Sequence, residues 1–241
     1  MATSYLGTAS VKLARIVESP NLISLLDCAT QMCFVYILGG SECLLLTVMA
    51  YDRYVAICNP LHYPLVMNHK VCVQLVTASW VSGVPVMVGQ TCQVLSLPFC
   101  GSNTINHFFC DIPPLLRIAC KDTFVNEIAV YVVAVVFIMV PFLLIVVSYA
   151  KIISSILKLT SARGRAKAFS TCSSHLIVVV LFYGTGTIAY LQPKSNQSEG
   201  TSKLISLFYT ILIPTLNPII YTLRNKDIAM ALKNLATKFL R

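Results

Sequence analysis

Charged side chains are scarce in this sequence of 241 residues. They make up 11% of the chain, whereas hydrophobic residues make up 56%. An ordinary soluble domain carries about a quarter charged residues, so this scarcity argues against a water-soluble globule. The formal net charge of +9 would indicate nucleic-acid binding only if the cations formed a solvated face. Here they separate long apolar blocks, which indicates an integral membrane protein that does not bind nucleic acid.

Turn signals recurring about every 8 to 12 residues are missing from the apolar blocks. A helix needs about 20 mostly apolar residues to cross a bilayer, and five blocks reach that length. The strands of a membrane barrel would alternate over about 10 residues, and no block does so. No internal repeat supports an inverted-repeat transporter. The sequence therefore predicts an all-α membrane protein, one bundle whose five spans cover about 22–54, 71–94, 126–157, 168–191 and 204–223.

Acidic residues are rare on one side of this predicted topology. Twelve of the 18 cations lie in 52–70, 151–167 and 224–241, together with only two of the nine acids. Cytosolic loops carry such a basic excess, so these stretches are predicted to face the cytosol. With five spans, residues 1–21 and the long loop 95–125 are then predicted to lie outside.

Four of the ten cysteines fall on the predicted outer side, where the oxidising environment favours disulfides. Four thiols allow three pairings. The four are Cys28, Cys100, Cys110 and Cys120. The other six lie in spans or near the cytosol, where packing as small apolar residues is the simpler interpretation. The sequon beginning at Asn196 also lies outside and is a candidate glycosylation site.

One acid lies inside a predicted span. Glu42 follows Gly39-Gly40-Ser41 near the middle of the first span, where a carboxylate is costly. It is either a protonated carboxyl hydrogen-bonded within the bundle or one ligand of a buried cation or water site. No other acid lies near the middle of a predicted span. A channel or transporter subunit, the alternative of another class, lacks the second intramembrane charge that such proteins usually need.

Catalytic and metal-binding patterns are missing as well. Cys172 and His175 lie one helical turn apart, but without a third ligand they are more simply packing residues. The four histidines form no set of nucleophile, base and orienting group. The sequence therefore predicts neither an enzyme nor a bound cofactor or metal.

The predicted cytosolic end of the first span carries adjacent opposite charges. Asp52 precedes Arg53 at the boundary of the bilayer. The pair is either an arginine snorkelling to the interface beside an acid, or a clamp that releases Arg53 to a cytosolic partner.

The last predicted span contains two prolines four residues apart. Pro214 and Pro218 free backbone carbonyls that Asn217 can partly satisfy, which predicts a kink near Tyr221. The tail 225–240 has the spacing of an amphipathic helix on the membrane surface.

Five motifs follow one another along the chain. They are Met49-Ala-Tyr-Asp-Arg-Tyr-Val-Ala-Ile-Cys58 with Asn59-Pro-Leu-His-Tyr63, then Ser148-Tyr149, Lys167-Ala-Phe-Ser-Thr-Cys-Ser-Ser-His-Leu176, Leu181-Phe-Tyr-Gly184, and Pro214 to Asp227. In this order they resemble the motifs of the olfactory receptors, a family of rhodopsin-like G-protein-coupled receptors. The resemblance covers nearly the whole chain from about Ser4.

The resemblance also has a gap. The family has seven spans, and its first helix and most of its second have no counterpart here. The five predicted spans are therefore expected to correspond to receptor helices three to seven. The resemblance implies a plasma-membrane receptor that binds a small volatile odorant and activates a stimulatory, olfactory-type G protein to raise cAMP. A truncated, non-signalling product retained in the endoplasmic reticulum is the alternative, because helix faces that normally pack on protein would meet lipid.

The resemblance implies roles for individual residues. Cys28 would pair with Cys110, and Cys100 with Cys120, so that the outer loop covers the ligand. The residues implied in the switch and in G-protein contact are Asp52, Arg53, Tyr54, Tyr149, Lys167, Asn217, Pro218 and Tyr221.

The outer halves of the predicted spans offer an apolar and aromatic cavity with a few hydroxyls. Such a cavity suits a small volatile organic molecule and holds no fixed charge for an amine or a carboxylate. Each candidate residue has helix-to-helix packing as its alternative role. The candidates are Met32, Val35, Tyr36, Gly39, Val133, Phe137, Tyr183, Thr187 and Tyr209.

Overall fold

A computed structural model of the chain describes residues 25–100, 110 and 112–191. Within these residues the chain is all-helical, as predicted, with one isolated β-bridge and no strand. The helices are α1 (Leu25–Cys58), α2 (Tyr63–Val66), α3 (His69–Leu95), α4 (Ile112–Arg117), α5 (Phe124–Ala134), α6 (Val140–Leu157) and α7 (Ala162–Leu191). A π-helical segment, Val135–Met139, joins α5 to α6.

Four helical stretches in the described part of the chain are long and apolar enough to cross a membrane. They are Cys28–Cys58, His69–Leu95, Phe124–Leu157 and Ala162–Thr185. The third stretch exposes rows of large aliphatic side chains, among them Leu143 and Val147, which are 55% and 52% exposed. Water would disfavour such a surface, whereas lipid tails cover it. A multi-pass membrane protein follows.

These four stretches overlap the first four predicted spans. The predicted fifth span 204–223, the surface helix 225–240 and the N-terminal segment 1–21 lie outside the described residues.

Two helices extend beyond the predicted spans at their polar ends. Helix α1 continues to Cys58, and α7 begins at Ala162, so that only 158–161 connect α6 to α7. The hydroxyl of Ser161 accepts a hydrogen bond from the Gly164 N–H at 3.3 Å, which caps the start of α7. Hydropathy identifies only the apolar part of a helix. Because Ser161 caps the polar residues before that part, α7 begins earlier than the predicted span.

The chain divides into two compact units, Asn21–Phe169 and a second unit that includes Ser170–Leu191 of α7. In the first unit, α1 packs against both α3 and α6. Small residues face each other in the contact with α3, where a Cβ atom added at Gly83 would be in van der Waals contact with the hydroxyl oxygen of Ser41, at 3.6 Å. Close approach of this kind is what holds membrane helices together in the absence of a hydrophobic driving force.

The π-helical segment has a local cause in Pro141. Proline lacks an N–H, and its ring displaces the carbonyl four residues earlier, which belongs to Phe137. A wider turn accommodates that defect. The hydroxyl of Thr47 on α1 lies 3.3 Å from the Pro141 carbonyl oxygen and 3.0 Å from that of Cys43. This contact fastens α1 to α6 beside the segment.

Candidate functional site

Two disulfides hold the chain together at one end of the first unit, called here the disulfide end. Cys28, at the start of α1, is joined to Cys110, and their Cα atoms lie 5.3 Å apart. Cys100 is joined to Cys120, with Cα atoms 5.4 Å apart. These are the same pairs that the resemblance implies.

Backbone pairing supports the second disulfide. Phe99 and Ala119 form an isolated antiparallel bridge. The N–H of Cys100 donates to the Ile118 carbonyl at 3.1 Å, and the N–H of Cys120 donates to the Pro98 carbonyl at 2.8 Å. The segments 98–100 and 118–120 of the loop between α3 and α5 are therefore paired with each other.

Two side chains of α1 bind the same loop. The Gln31 side-chain oxygen accepts from the Cys110 N–H at 3.0 Å, and the Tyr36 hydroxyl oxygen accepts from the Ile112 N–H at 3.3 Å. Tyr36 was a pocket candidate, and its hydroxyl thus contacts the loop. Gln31 was not predicted, and an amide in an otherwise apolar span was the signal that could have found it.

An apolar cluster lies under the loop. Tyr36 of α1 and Val130 of α5 pack against it. Its buried members are Cys28, Met32, Val94, Cys110, Ile112 and Leu115. The structure thereby brings two pocket candidates, Met32 and Tyr36, to a place where α1, α3 and α5 meet.

Helices α1 and α3 meet again further along α1, here together with the π-helical segment that continues α5. A Cβ atom at Gly40 would lie 2.9 Å from Cε of Met87 and 3.7 Å from the ring of Phe137. Met87 and Phe137 are 5% and 7% exposed. Val133, partly buried, lies one helical turn before Phe137. The contact region of α1, α3 and α5, from Met32 to Gly40 along α1, is called here the three-helix site.

Of the remaining pocket candidates, Val35 and Gly39 lie on the same stretch of α1 as the three-helix site. Val35 and Gly39 are partly buried, and a Cβ atom at Gly39 would meet no atom within 4 Å. Tyr183 and Thr187 belong to the second unit, in which the Thr187 hydroxyl donates to the Tyr183 carbonyl at 2.7 Å. Tyr209 lies outside the described residues.

At the other end of α1, called here the basic end, Asp52 has two partners. The Tyr63 hydroxyl donates to Oδ1 of Asp52 at 2.8 Å, and Nε of Arg53 lies 3.5 Å from Oδ2. The Arg53 side chain is 36% exposed, so this ion pair is accessible to water. Tyr63 begins the short helix α2, outside the apolar stretches, and was not predicted as a partner of Asp52.

The carboxylate governs the titration of Tyr63. Accepting the hydroxyl proton in a hydrogen bond, Asp52 raises the pKa of Tyr63, and burial and the negative charge of Asp52 raise it further. The hydroxyl therefore stays protonated throughout the physiological range. It can therefore donate to Asp52 at any physiological pH.

The other predicted switch residues in the described part of the chain lie on α1, α6 and α7. Nζ of Lys151 lies 5.6 Å from the centroid of the Tyr54 ring, a cation–π contact. Tyr149 is 5% exposed and shares a buried face of α6 with Ile145 and Ile152. Lys167 is exposed near the start of α7. Asn217, Pro218 and Tyr221 lie outside the described residues.

No metal centre accompanies Glu42 in the described part of the chain. Glu42 is partly buried in the middle of α1. Among the described residues, no group of three His, Cys, Asp or Glu side chains could hold a metal ion. The ion or water site at Glu42 stays a prediction. Asn196, the candidate glycosylation site, lies outside the described residues.

Comparisons with known proteins agree along nearly the whole chain. A sequence model of the family described as olfactory receptor matches residues 13–238. Human olfactory receptor 10AG1 is 76% identical over 218 residues, which cover 90% of this chain and 72% of that receptor. Human olfactory receptor 10A7 is 54% identical and 10A2 is 52% identical. Those matches cover 94% and 95% of this chain, and 72% and 75% of the two receptors.

Proposed function

Because this chain belongs to the olfactory receptor family, we propose that it binds a small volatile odorant at the three-helix site and activates a stimulatory, olfactory-type heterotrimeric G protein. Raised cAMP is the proposed output. Olfactory receptors are G-protein-coupled receptors and not enzymes. The observation that carries the proposal is Arg53, a half-exposed cation at a helix end whose partner Asp52 is itself held by Tyr63.

The proposed orientation places the basic end in the cytosol and the disulfide end outside the plasma membrane. Cations gather in the described residues at the basic end, and cytosolic loops carry such an excess. They are Arg53, Lys70, Lys151, Lys158, Arg163, Arg165 and Lys167. Disulfides form and persist on the oxidising side, which supports the same orientation. In this proposal α1, α3, the α5–α6 helix and α7 correspond to receptor helices three, four, five and six.

The proposed ligand is neutral and largely apolar. Most side chains at the three-helix site are aliphatic, sulfur-containing or aromatic, and methionine adapts to irregular gaps. The hydrogen bonds from the N–H groups of Cys110 and Ile112 to Gln31 and Tyr36 hold this part of the loop against the cluster. A ligand that binds beside the cluster passes from water into an apolar environment. This transfer favours volatile molecules of low polarity.

The proposed mechanism is a shift between two states of the basic end. In the inactive state Asp52 binds Arg53 and Tyr63. In the active state Arg53 leaves Asp52 and contacts the G protein. An odorant shifts this equilibrium only by the difference between its binding free energies for the active and the inactive state. Lys167 and the first turn of α7 are proposed to contact the same partner.

An odorant panel tests the proposed function. The full chain, tagged for surface staining, is expected to raise cAMP with at least one neutral odorant, and Gly39→Leu is expected to reduce its potency about tenfold. The leucine side chain enters unfilled space on α1 that the ligand would share. Robust surface display with no response to any odorant would contradict the proposal.

Gly89→Leu is the matched control for the pocket variant. Gly89 is exposed on α3, and a Cβ atom there also meets nothing within 4 Å. Both substitutions raise helix propensity by a similar amount, about 1 kcal/mol. Odorant potency is expected to stay unchanged in the control. An equal loss in both variants would place the effect in the fold and not in the ligand site.

Tyr63→Phe is expected to raise basal cAMP. The change removes the donor to Asp52, which frees the carboxylate and loosens its hold on Arg53. Asp52 is partly exposed, so the lost bond is worth about 1 kcal/mol, or roughly fivefold in the equilibrium. Tyr51→Phe is the control, because Tyr51 is 42% exposed and keeps its ring contact with Tyr54.

The pH dependence of this contact has a definite sign. The pKa of Tyr63 is raised, so the contribution of its hydroxyl to stability is present below the ordinary tyrosine pKa of about 10 and is lost above it. Basal cAMP of Tyr63→Phe should therefore exceed that of the unmodified chain by the same factor at mildly acidic and neutral pH. If the two chains had equal basal cAMP at mildly acidic pH, the Tyr63 hydroxyl would not be the group responsible.

A further inference from the structure

Gln90 carries a buried amide without a partner. The residue is 9% exposed, and its Nε2 atom is buried with no hydrogen-bond acceptor. Buried amides in native proteins are almost always paired with protein groups, water or ligand, because an unpaired one is destabilising. The exception at Gln90 therefore calls for an acceptor that the protein does not itself supply.

Helical geometry places Gln90 beside the three-helix site. It belongs to the single buried stripe of α3, between Met87 and Val94. Met87 lies against Gly40, and Val94 belongs to the cluster with Met32. The stretch from Met87 to Val94 is about 10 Å long, and the stretch of α1 from Met32 to Gly40 is about 12 Å long. Gln90 thus lies opposite the middle of that stretch of α1.

The third wall comes from α5 and the π-helical segment. Val130 packs against the cluster at the disulfide end, and Phe137 lies near Gly40. Val133 lies midway between them. Gln90 is accordingly at the level where the candidate residues of all three elements converge, and it is a polar residue at a level otherwise occupied mainly by apolar and aromatic ones.

Ser41 shows why burial alone is not enough. Its hydroxyl oxygen is also buried without a partner, and the residue is 1% exposed. However, Ser41 faces the backbone of α3 directly, since its hydroxyl oxygen lies 3.6 Å from a Cβ atom placed at Gly83. No ligand fits there. Gln90, in contrast, lies one helical turn from Met87, whose flexible side chain reaches Gly40 of α1 and can move to admit one.

We propose that the Gln90 amide donates a hydrogen bond to a carbonyl oxygen of the odorant. This inference rests on the proposed function and narrows the ligand to neutral aldehydes, ketones and esters whose apolar chain lies against Met32, Met87 and Phe137. A site with a buried donor discriminates against analogues that lack the acceptor, because their binding leaves the donor unpaired.

Gln90→Met tests the proposal in the full chain. Methionine keeps the length of the side chain and removes the amide. The probes are straight-chain aldehydes, methyl ketones and methyl esters, and for each ketone the alkene in which a methylene group replaces the carbonyl oxygen. We expect the potency of the carbonyl odorant in the cAMP assay to fall about tenfold, and that of the alkene to stay unchanged. Surface display should be equal or higher, since an unpaired amide has been removed.

Gln93→Met is the matched control. Gln93 is exposed on the same helix, three residues further on, and the same substitution there is expected to change neither potency nor display. Unchanged carbonyl potency in Gln90→Met would overturn the proposal. Reduced display of that variant would also overturn it, because the amide would then hold the helices together.

The inference and the proposed function fail in different ways. A displayed chain that responds equally to ketones and to their methylene analogues remains an odorant receptor, but Gln90 is then not the donor. A displayed chain that responds to no probe of the whole odorant panel contradicts the proposed function, and with it the inference.

Discussion

Arg53→Ala should abolish odorant-driven cAMP while the chain still reaches the cell surface. In the proposed switch, Arg53 leaves Asp52 and contacts the G protein. An alanine side chain can make neither contact. The side chain is 36% exposed and its pairing distance is 3.5 Å, so its loss removes little from the packing of the fold. The stimulated signal is expected to fall to about the unstimulated level, with surface staining measured in the same cells.

Lys70→Ala is the control for this largest effect. Lys70 is an exposed cation at the same end of the molecule, at the start of α3. Its removal changes the net charge equally but leaves Asp52 and Tyr63 untouched. Odorant-driven cAMP is expected to persist. Normal signalling by Arg53→Ala would reject the switch role of the arginine.

Cys28→Ser is expected to remove most of the chain from the cell surface. The disulfide to Cys110 joins residues separated by 82 positions, and both cysteines are 3% exposed within the apolar cluster. Closing a loop of that length restricts the unfolded chain by about 4.5 kcal/mol in the chain-entropy estimate. The substitution also leaves the thiol of Cys110 without its partner beneath the loop.

Cys100→Ser is the comparison for that prediction. Its disulfide spans 20 positions and contributes about 3 kcal/mol by the same estimate, and the bridge between Phe99 and Ala119 still holds the loop arms together. Surface display is therefore expected to fall less than in Cys28→Ser. The double variant Cys28→Ser with Cys110→Ser should match the single one. Equal display of Cys28→Ser and the unmodified chain would show that the first disulfide is dispensable.

The spans could be predicted from sequence because lipid imposes a length and a composition on any crossing helix. Hydropathy alone does not fix helix ends, which here depend on polar caps such as Ser161. Nor does it reveal the π-helical segment, although Pro141 supplied its cause. The family motifs fixed Asp52 and Arg53 as a pair, since the two are adjacent in the chain.

Contacts across loops and between helices were harder to predict. Tyr63 and Asp52 lie eleven positions apart on either side of a turn, and their hydrogen bond depends on how α2 folds back toward α1. Gln31 and Gln90 are polar residues in apolar stretches, and the sequence shows that each is costly without showing what each one faces. The three-helix site depends on helix rotation, which a periodic pattern of Val, Ile and Leu leaves open.

The four-residue connection between α6 and α7 sets a mechanical limit on any opening at the basic end. From Leu157 to Ala162 the backbone can extend to roughly 17 Å when fully stretched. A single α-helix with its side chains is about 10–12 Å thick, so one inserted helix of a signalling partner fits within this tether. Insertion of anything thicker than one helix would break the hydrogen bond from the Gly164 N–H to the Ser161 hydroxyl and unwind the first turn of α7. In the proposed mechanism, the length of this connection therefore favours a partner that inserts a single helix.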